Sequence, residues 1–224
     1  MTKLVLGTAN FGQKYGIAND PVPSVQEIEN IARVAWAGGI RVIHTSWQYE
    51  LPKICEAIFS KFEWIKKEKE NPDWFTFDGR TGRAIYNPDE VKFFTINDII
   101  QVPFNVLDNR FKKYLSYGCE IHARSVFLQG LLLMDLMDMP DWIVDSMAFD
   151  NILHFLQICM KRKLEPYAGA LGYVLGLDEV DRVIVGVNSA KQLKQLLSVK
   201  PLKWDYDFSI TDEMVLNPNR WPRT

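Results

Sequence analysis

Residues 3–12 read Lys3-Leu4-Val5-Leu6-Gly7-Thr8-Ala9-Asn10-Phe11-Gly12, a β-rich apolar run that ends in small residues. In an open, doubly wound sheet, the turn after the first strand carries a G-x-G-x-x-G fingerprint that lets the backbone close on a pyrophosphate. Here the glycines of that turn are Gly7 and Gly12, so the spacing is absent, and the chain holds no Walker-type phosphate loop. Strands still alternate with helices downstream, which implies parallel pairing through right-handed crossovers. A closed barrel is therefore favoured over an open sheet.

Outward from that turn, Ser24 offers an N-cap with Glu27 three residues later, a capping box for a helix through Ala37. Gly38-Gly39 stops this helix, and Ile40–Thr45 reads as the second strand. Leu51–Lys69 has the apolar spacing of a helix (Ile54, Ala57, Ile58, Phe62, Ile65) with a lysine-rich end. Asn71–Arg83 (NPDWFTFDGRTGR) reads as turns around one short strand, Trp74–Phe77, a candidate seventh beside the six below. Further strands are expected at Ala84–Tyr86, Asp98–Phe104, Glu120–Val126 and Asp181–Val187. Helices are expected at Leu107–Tyr117, through most of Met134–Pro166, at Ala168–Leu175 and at Ser189–Ser198, the last capped by Ser189. The reading gives six strands in one domain over residues 1–224.

Charge is nearly balanced, 26 Lys+Arg against 28 Asp+Glu, which gives no electrostatic reason to expect nucleic acid or a membrane surface as a partner. The apolar runs are shorter than a bilayer span, and the opening residues lack a secretory pattern. Cys55, Cys119 and Cys159 are odd in number and widely spaced, as free thiols in a reducing, cytoplasmic setting would be. The three histidines, His44, His122 and His154, lack metal-ligand spacing, and no metal is expected.

Several segments, taken in order, resemble the aldo-keto reductases. Leu6–Gly12, continued by Tyr15-Gly16-Ile17-Ala18-Asn19, is similar to the family's first strand, and Gly39–Tyr49 (GIRVIHTSWQY) to its second strand and catalytic loop. Gln101–Asp108 resembles the sixth strand. His122–Leu132 (HARSVFLQGLL) resembles the seventh and its loop, and is similar to a bacterial branch associated with surface-polysaccharide genes. Val183–Ser189 with Gln192-Leu193 resembles the eighth strand and the cofactor-binding helix, and Asn217-Pro218 and Trp221 have the look of the family's tail. The resemblance implies a TIM-type (β/α) barrel, which needs ~250 residues. Only one helix and an irregular stretch lie between Tyr49 and Ala84, so the expectation is an incomplete barrel of about six strands, with the third and fourth missing. Its open edge would need covering by the aromatic insert (Trp64, Trp74, Phe75, Phe77) or by a second copy of the chain.

In the family a Tyr protonates a carbonyl oxygen while NADPH reduces the carbon. A Lys paired to an Asp tunes the Tyr, and a His orients the carbonyl. By this resemblance Tyr49 is the acid, His44 stands where the Asp should be, and the Lys and His belong to the strands that read as absent. Tyr49 is either a surviving acid paired with His44 or a loop tyrosine at the barrel mouth. His122 and His154 read as residues with no chemical role. On the cofactor side, the resemblance gives Gln101 to the nicotinamide carboxamide, Ser125 to the pyrophosphate, and Gly186, Asn188, Ser189 and Gln192 to the adenosine phosphate of NADP. The family's carboxamide partner after the fifth strand is replaced by Ala84-Ile85. Ser189 at a helix N-terminus near Lys191 and Lys194 suits a phosphate, or serves only as a cap.

Three readings follow. The first is a catalytically impaired aldo-keto reductase relative that binds NADP(H) or a sugar-like metabolite. The second is a working NADPH-dependent carbonyl reductase using His44 and Tyr49 or an unplaced lysine. The third is a non-catalytic structural or interaction protein.

Overall fold

The computed structural model describes residues 2–17 and 21–222, so Ala18 and Asn19 of the first-strand likeness lie outside the described residues. β1 (Leu4–Gly7) leads through α1 (Val25–Ala37) to β2 (Val42–Ser46), and a short α2 (Ile54–Ile58) precedes β3 (Glu63–Lys67). β4 (Trp74–Phe77) and β5 (Arg80–Ala84) follow with no helix between them, then β6 (Ile99–Pro103) and β7 (Glu120–Arg124). α3 (Asp141–Val144), α4 (Ala148–Lys161) and α5 (Pro166–Leu175) lead to β8 (Arg182–Gly186), and α6 (Ala190–Leu197) and α7 (Glu213–Leu216) complete the chain.

The eight strands close in sequence order into one barrel, β8 returning to β1. The expected six-strand barrel with an open edge is thereby corrected. The third and fourth strands are present, and the sheet has no edge for a second copy to cover. Six of the pairings are parallel, but β4 runs antiparallel to both β3 and β5. Antiparallel neighbours need only a short turn, whereas parallel ones need a crossover of a dozen residues or more. This meander is how a 224-residue chain closes a ring that ordinarily takes more.

The local chemistry of the meander is strong. Asp78 (φ 51) and Gly79 (φ 70) form a two-residue loop with both residues in the left-handed region, joining the paired residues Phe77 and Arg80. Asp-Gly is a preferred pair for such a hairpin. The flanking residues alternate with the pleat, Phe75 and Phe77 buried inside, Trp74 and Thr76 exposed outside. The aromatic insert is thus half a plug, since two of its four rings fill the barrel.

The expected helix over Leu51–Lys69 is also corrected. It ends at Ile58, with Phe59 as its C-cap, and the lysine-rich end becomes β3. Five consecutive pairs with β2, from Val42 with Glu63 to Ser46 with Lys67, outweigh the weak helix preference of Glu and Lys. The strand expected at Ala84–Tyr86 lies earlier, at Arg80–Ala84, because the hairpin sets its register. The helix expected at Leu107–Tyr117 is a 3-10 segment, Lys112–Tyr117.

Inside the barrel, Val5, Val42, Ile65, Phe75, Phe77, Ile99 and Ile184 form a buried cluster. His122 is fully buried among them, its ring stacked on Phe75 (5.9 Å) and edge-on to Phe77 (5.7 Å). At the N-terminal end of the strands, Glu120 binds Arg80, Arg182 (3.3 Å) and His122 (2.8 Å), closing the floor with paired charge. Gly82 is required here, because a Cβ at that position would lie 2.3 Å from the Phe75 ring. The C-terminal ends of the strands are left to form the mouth.

Candidate active site

Side chains alternate along each strand, so inward-facing residues towards the C-terminal ends of β2, β3, β6 and β7 meet at the mouth. Ser46, Lys67, Gln101 and Arg124 do so, together with Tyr15, Tyr49, Asp73 and Tyr86 from the connections, around a cavity of about 1040 Å³. Tyr15 is carried in by a close backbone approach. Gly16 (φ 90) packs on Gln129, where a Cβ would sit 2.4 Å from the carbonyl oxygen, and the Ile17 N–H donates to that oxygen at 2.9 Å. The Tyr15 and Tyr49 rings meet edge-on at 6.0 Å, and Tyr49 faces His44 at 6.5 Å.

The electrostatics of the mouth centre on two cations. Burial, then the Arg124 charge, pull the Lys67 ammonium down to about 8, against a smaller opposing pull from Asp73. Burial lowers His44 to about 3, with Lys67, His122 and Arg124 adding to the effect, so His44 is neutral at ordinary pH. Burial raises the Tyr49 phenol above its usual value, Tyr15 adds to this, and Arg124 opposes it. His44 therefore cannot supply the cation expected of it beside Tyr49; Lys67 and Arg124 are the charges present. Among the described residues neither makes an ion pair within 4.0 Å.

Comparison of the structure with solved ones finds the same architecture. The glycerol dehydrogenase AKR11B4 from Gluconobacter oxydans superposes with a TM-score of 0.61 and 16% identity, over 100% of this chain and 94% of the other. The aldo-keto reductase AKR11C1 from Bacillus halodurans, in its holo form, gives 0.61 and 12% over 90% and 88%. The fold is that of the aldo-keto reductases. Neither a scan against family models nor a search of curated proteins finds a match to the sequence.

Against the aldo-keto reductase pattern, the expected cofactor residues divide into two groups. Gln101 is fully buried and both of its amide atoms lack a hydrogen-bond partner, in the cavity wall. A buried primary amide left unpaired costs about 1–3 kcal/mol per group unless a ligand completes it. A carboxamide, with one donor and one acceptor, is complementary to it. Ser125 begins the loop after β7 in a left-handed conformation (φ 57), its carbonyl held by the Asn105 side-chain amide at 3.0 Å.

The other group is already engaged. Ser189 Oγ accepts from the Gln192 N–H (3.1 Å), and Gln192 Oε1 accepts from the N–H groups of Asn188 (2.7 Å) and Ser189 (3.2 Å). The next N–H, of Ala190, donates to Glu27 Oε1 at 2.7 Å. The Asn188 side chain is bound to Asn10 (2.7 Å), whose oxygen crowds Gly186. Glu27 thus leaves its expected role in a capping box on α1 and puts a carboxylate on the N-terminus of α6. Asn30, then the Ala190 N–H, hold it below the usual carboxylate range. These residues fit a nicotinamide carboxamide at one end and do not fit an extra phosphate at the other.

His122 lies in the barrel interior and His154 packs on Tyr206 (5.6 Å) and Phe208 (5.2 Å), both away from the mouth. Cys55, Cys119 and Cys159 are free and buried. Among the described residues no cluster of His, Cys, Asp and Glu could hold a metal ion, and no helix is long and apolar enough to cross a membrane. The sequence reading missed Lys67, Asp73, Arg124, Tyr15 and Glu27 as site residues. Asp78-Gly79 between alternating residues signals the β4–β5 hairpin, but Lys67 lies on β3 and Asp73 ahead of β4, so only the tertiary structure brings them to the mouth.

Proposed function

We propose that this chain reduces a carbonyl compound with a nicotinamide dinucleotide, using Tyr49 as proton donor and Lys67 as a cation in the same cavity wall. The observation that carries this reading is the position of Lys67, the last residue of the third strand, in the same cavity wall as His44 and Tyr49. The aldo-keto reductase resemblance asks for a lysine on that strand. Its carboxylate partner comes from a new place, because His44 stands at the usual acid position and Asp73, just ahead of β4, supplies the negative charge that bears on Lys67. Gln101 would hold the carboxamide, and Ser125 with its loop the pyrophosphate. The bound nicotinamide supplies the two electrons and the hydrogen that the carbonyl carbon gains.

Tyr49 then gives its phenolic proton to the developing alkoxide, which is more basic than the phenolate left behind. Lys67 and Arg124 stabilise that phenolate in a site screened from water. Neutral His44, with its buried Nε2 unpartnered, is placed to hydrogen-bond the carbonyl oxygen or a water. The test is nucleotide binding by tryptophan quenching, followed by carbonyl-dependent oxidation of the reduced nucleotide. Tyr49→Phe is expected to leave nucleotide binding intact and to lower turnover at least about 100-fold. Equal turnover in the variant would remove Tyr49 as the acid, and nucleotide binding with no turnover in the wild type would return the chain to the binding-only reading.

Glu27 bears on which nucleotide is used. NADP(H) was the family expectation, but a carboxylate where the additional phosphate would sit opposes it, favouring NAD(H). Glu27→Gln keeps the size and the bond from Ala190 while removing the charge. It is expected to raise NADPH affinity relative to NADH by about tenfold, read from parallel fluorescence titrations; an unchanged ratio would remove Glu27 from the specificity argument.

A further inference from the structure

Arg124 bears on Tyr49 through its charge, but one donor edge of its guanidinium is left unused by the proposed reduction. Its Nη1 donates to Ser125 Oγ at 3.2 Å, and its guanidinium lies over the Tyr86 ring at 4.5 Å, so the plane is fixed on two sides. The Nε–H and one Nη2 edge is buried and without a partner. The acids that share the cavity are engaged elsewhere: Glu90 with Arg83 (3.1 Å), and Glu213 with Arg110 (3.6 Å) and Arg220 (3.1 Å). Asp73 faces Lys67.

The same molecule shows what that edge binds. Arg110 uses its own Nε and Nη2 to hold the two oxygens of Asp108, at 2.9 Å each. This fork matches a planar carboxylate and is the geometry for which arginine is preferred over lysine. In Arg124 an equivalent edge is enclosed and unpartnered beside a cavity in which another cation without an ion pair, Lys67, is near enough to repel it. Two mutually repelling cations in a partly buried wall destabilise a fold, and Asp73 offsets this only at Lys67, which leaves Arg124 to be completed by an anion.

From this we infer that the barrel mouth holds a carboxylate subsite built on the Nε/Nη2 edge of Arg124, so that the compound reduced is a carbonyl compound bearing a carboxylate, such as a keto acid or an acidic sugar. The identity of the reacting group rests on the proposed reduction; the carboxylate subsite does not. Its test therefore uses binding without turnover.

Wild-type protein without nucleotide is titrated with pyruvate, glucuronate, methyl pyruvate, glucose and inorganic phosphate, followed by tryptophan fluorescence and thermal shift. At least one of the two carboxylates is expected to bind with a Kd on the order of a millimolar and to raise Tm, its neutral counterpart binding at least about tenfold more weakly. Arg124→Lys, which keeps the charge and loses the fork, is expected to weaken the carboxylate about tenfold or more. Arg124→Met is expected to abolish binding, and its folding is checked by circular dichroism. Neutral compounds binding as well as acids, Arg124→Lys binding as well as wild type, or no probe binding would each overturn the subsite. Phosphate binding more tightly than both carboxylates would also overturn it and assign Arg124 to the nucleotide's phosphates. A chain that binds carboxylate but oxidises no nucleotide would keep the subsite and remove the reductase.

Discussion

Lys67→Met is expected to lower kcat/KM for carbonyl reduction by at least about 100-fold while making the protein more stable. The first effect follows from removing a cation that shares the cavity wall with Tyr49. The second follows from burial. The Lys67 ammonium titrates at about 8 rather than 10.5, so between those values the folded chain binds fewer protons than the unfolded chain. Stability then rises with pH across that window, and at neutral pH the folded state bears the cost of a charged, half-enclosed lysine. Methionine removes that cost, for an expected gain on the order of 1–3 kcal/mol at pH 7, or roughly 2–4 °C in Tm per kcal/mol. Wild-type turnover should decline above pH of about 8 as Lys67 loses its proton, and Lys67→Arg should keep its activity to higher pH if any geometry is retained. A Lys67→Met variant that is both less stable and fully active would show that the lysine packs on the barrel rim and takes no part in the chemistry.

Phe75→Ala is expected to cost about 3–5 kcal/mol in a urea unfolding experiment. Phe75 is fully buried, lies opposite Gly82 across the β4–β5 ladder, and stacks on His122 across the barrel. Truncation leaves a cavity lined by Ile65, Ile99 and His122 and removes the aromatic face that covers a buried imidazole. Phe75→Leu, which keeps part of the volume, should lose about half as much. A loss below about 1 kcal/mol would mean that the β4–β5 hairpin does not close the barrel in solution, and the open-edged architecture read from the sequence would return.

Much of the barrel was legible in the chain. β1, β6, β7 and β8 fall inside the runs read as strands, β2 passes its run by one residue, and the caps at Ser24 and Ser189 start α1 and α6 as expected. These signals are local, because an apolar run bounded by small residues or a hydroxyl cap states its own conformation. Residues 51–69 were misread because two periods compete there, whereas the candidate strand Trp74–Phe77 is β4. Ile54, Ala57, Ile58, Phe62 and Ile65 fit a helix, while Glu63–Lys67 adopts a strand only because β2 stands beside it. The site suffered from the same misreading. Tyr49, His44, Gln101 and Ser125 were found through sequence likeness and do line the mouth, whereas Lys67 was placed on a solvated helix end and so was lost from the chemistry.

The sequence by itself determined a chain with alternating strands and helices, closed by a first-strand turn unsuited to a dinucleotide fingerprint, and with a tyrosine loop after the second strand. Only the tertiary structure decided that the ring closes with eight strands, that one of them is reversed, and that Lys67, Asp73 and Arg124 face one cavity. The physical reason is that strand pairing and side-chain convergence are properties of distant partners. The hydrogen bonds that make residues 63–67 a strand belong to residues 42–46, and an arginine edge becomes a binding site only when no carboxylate of its own chain reaches it.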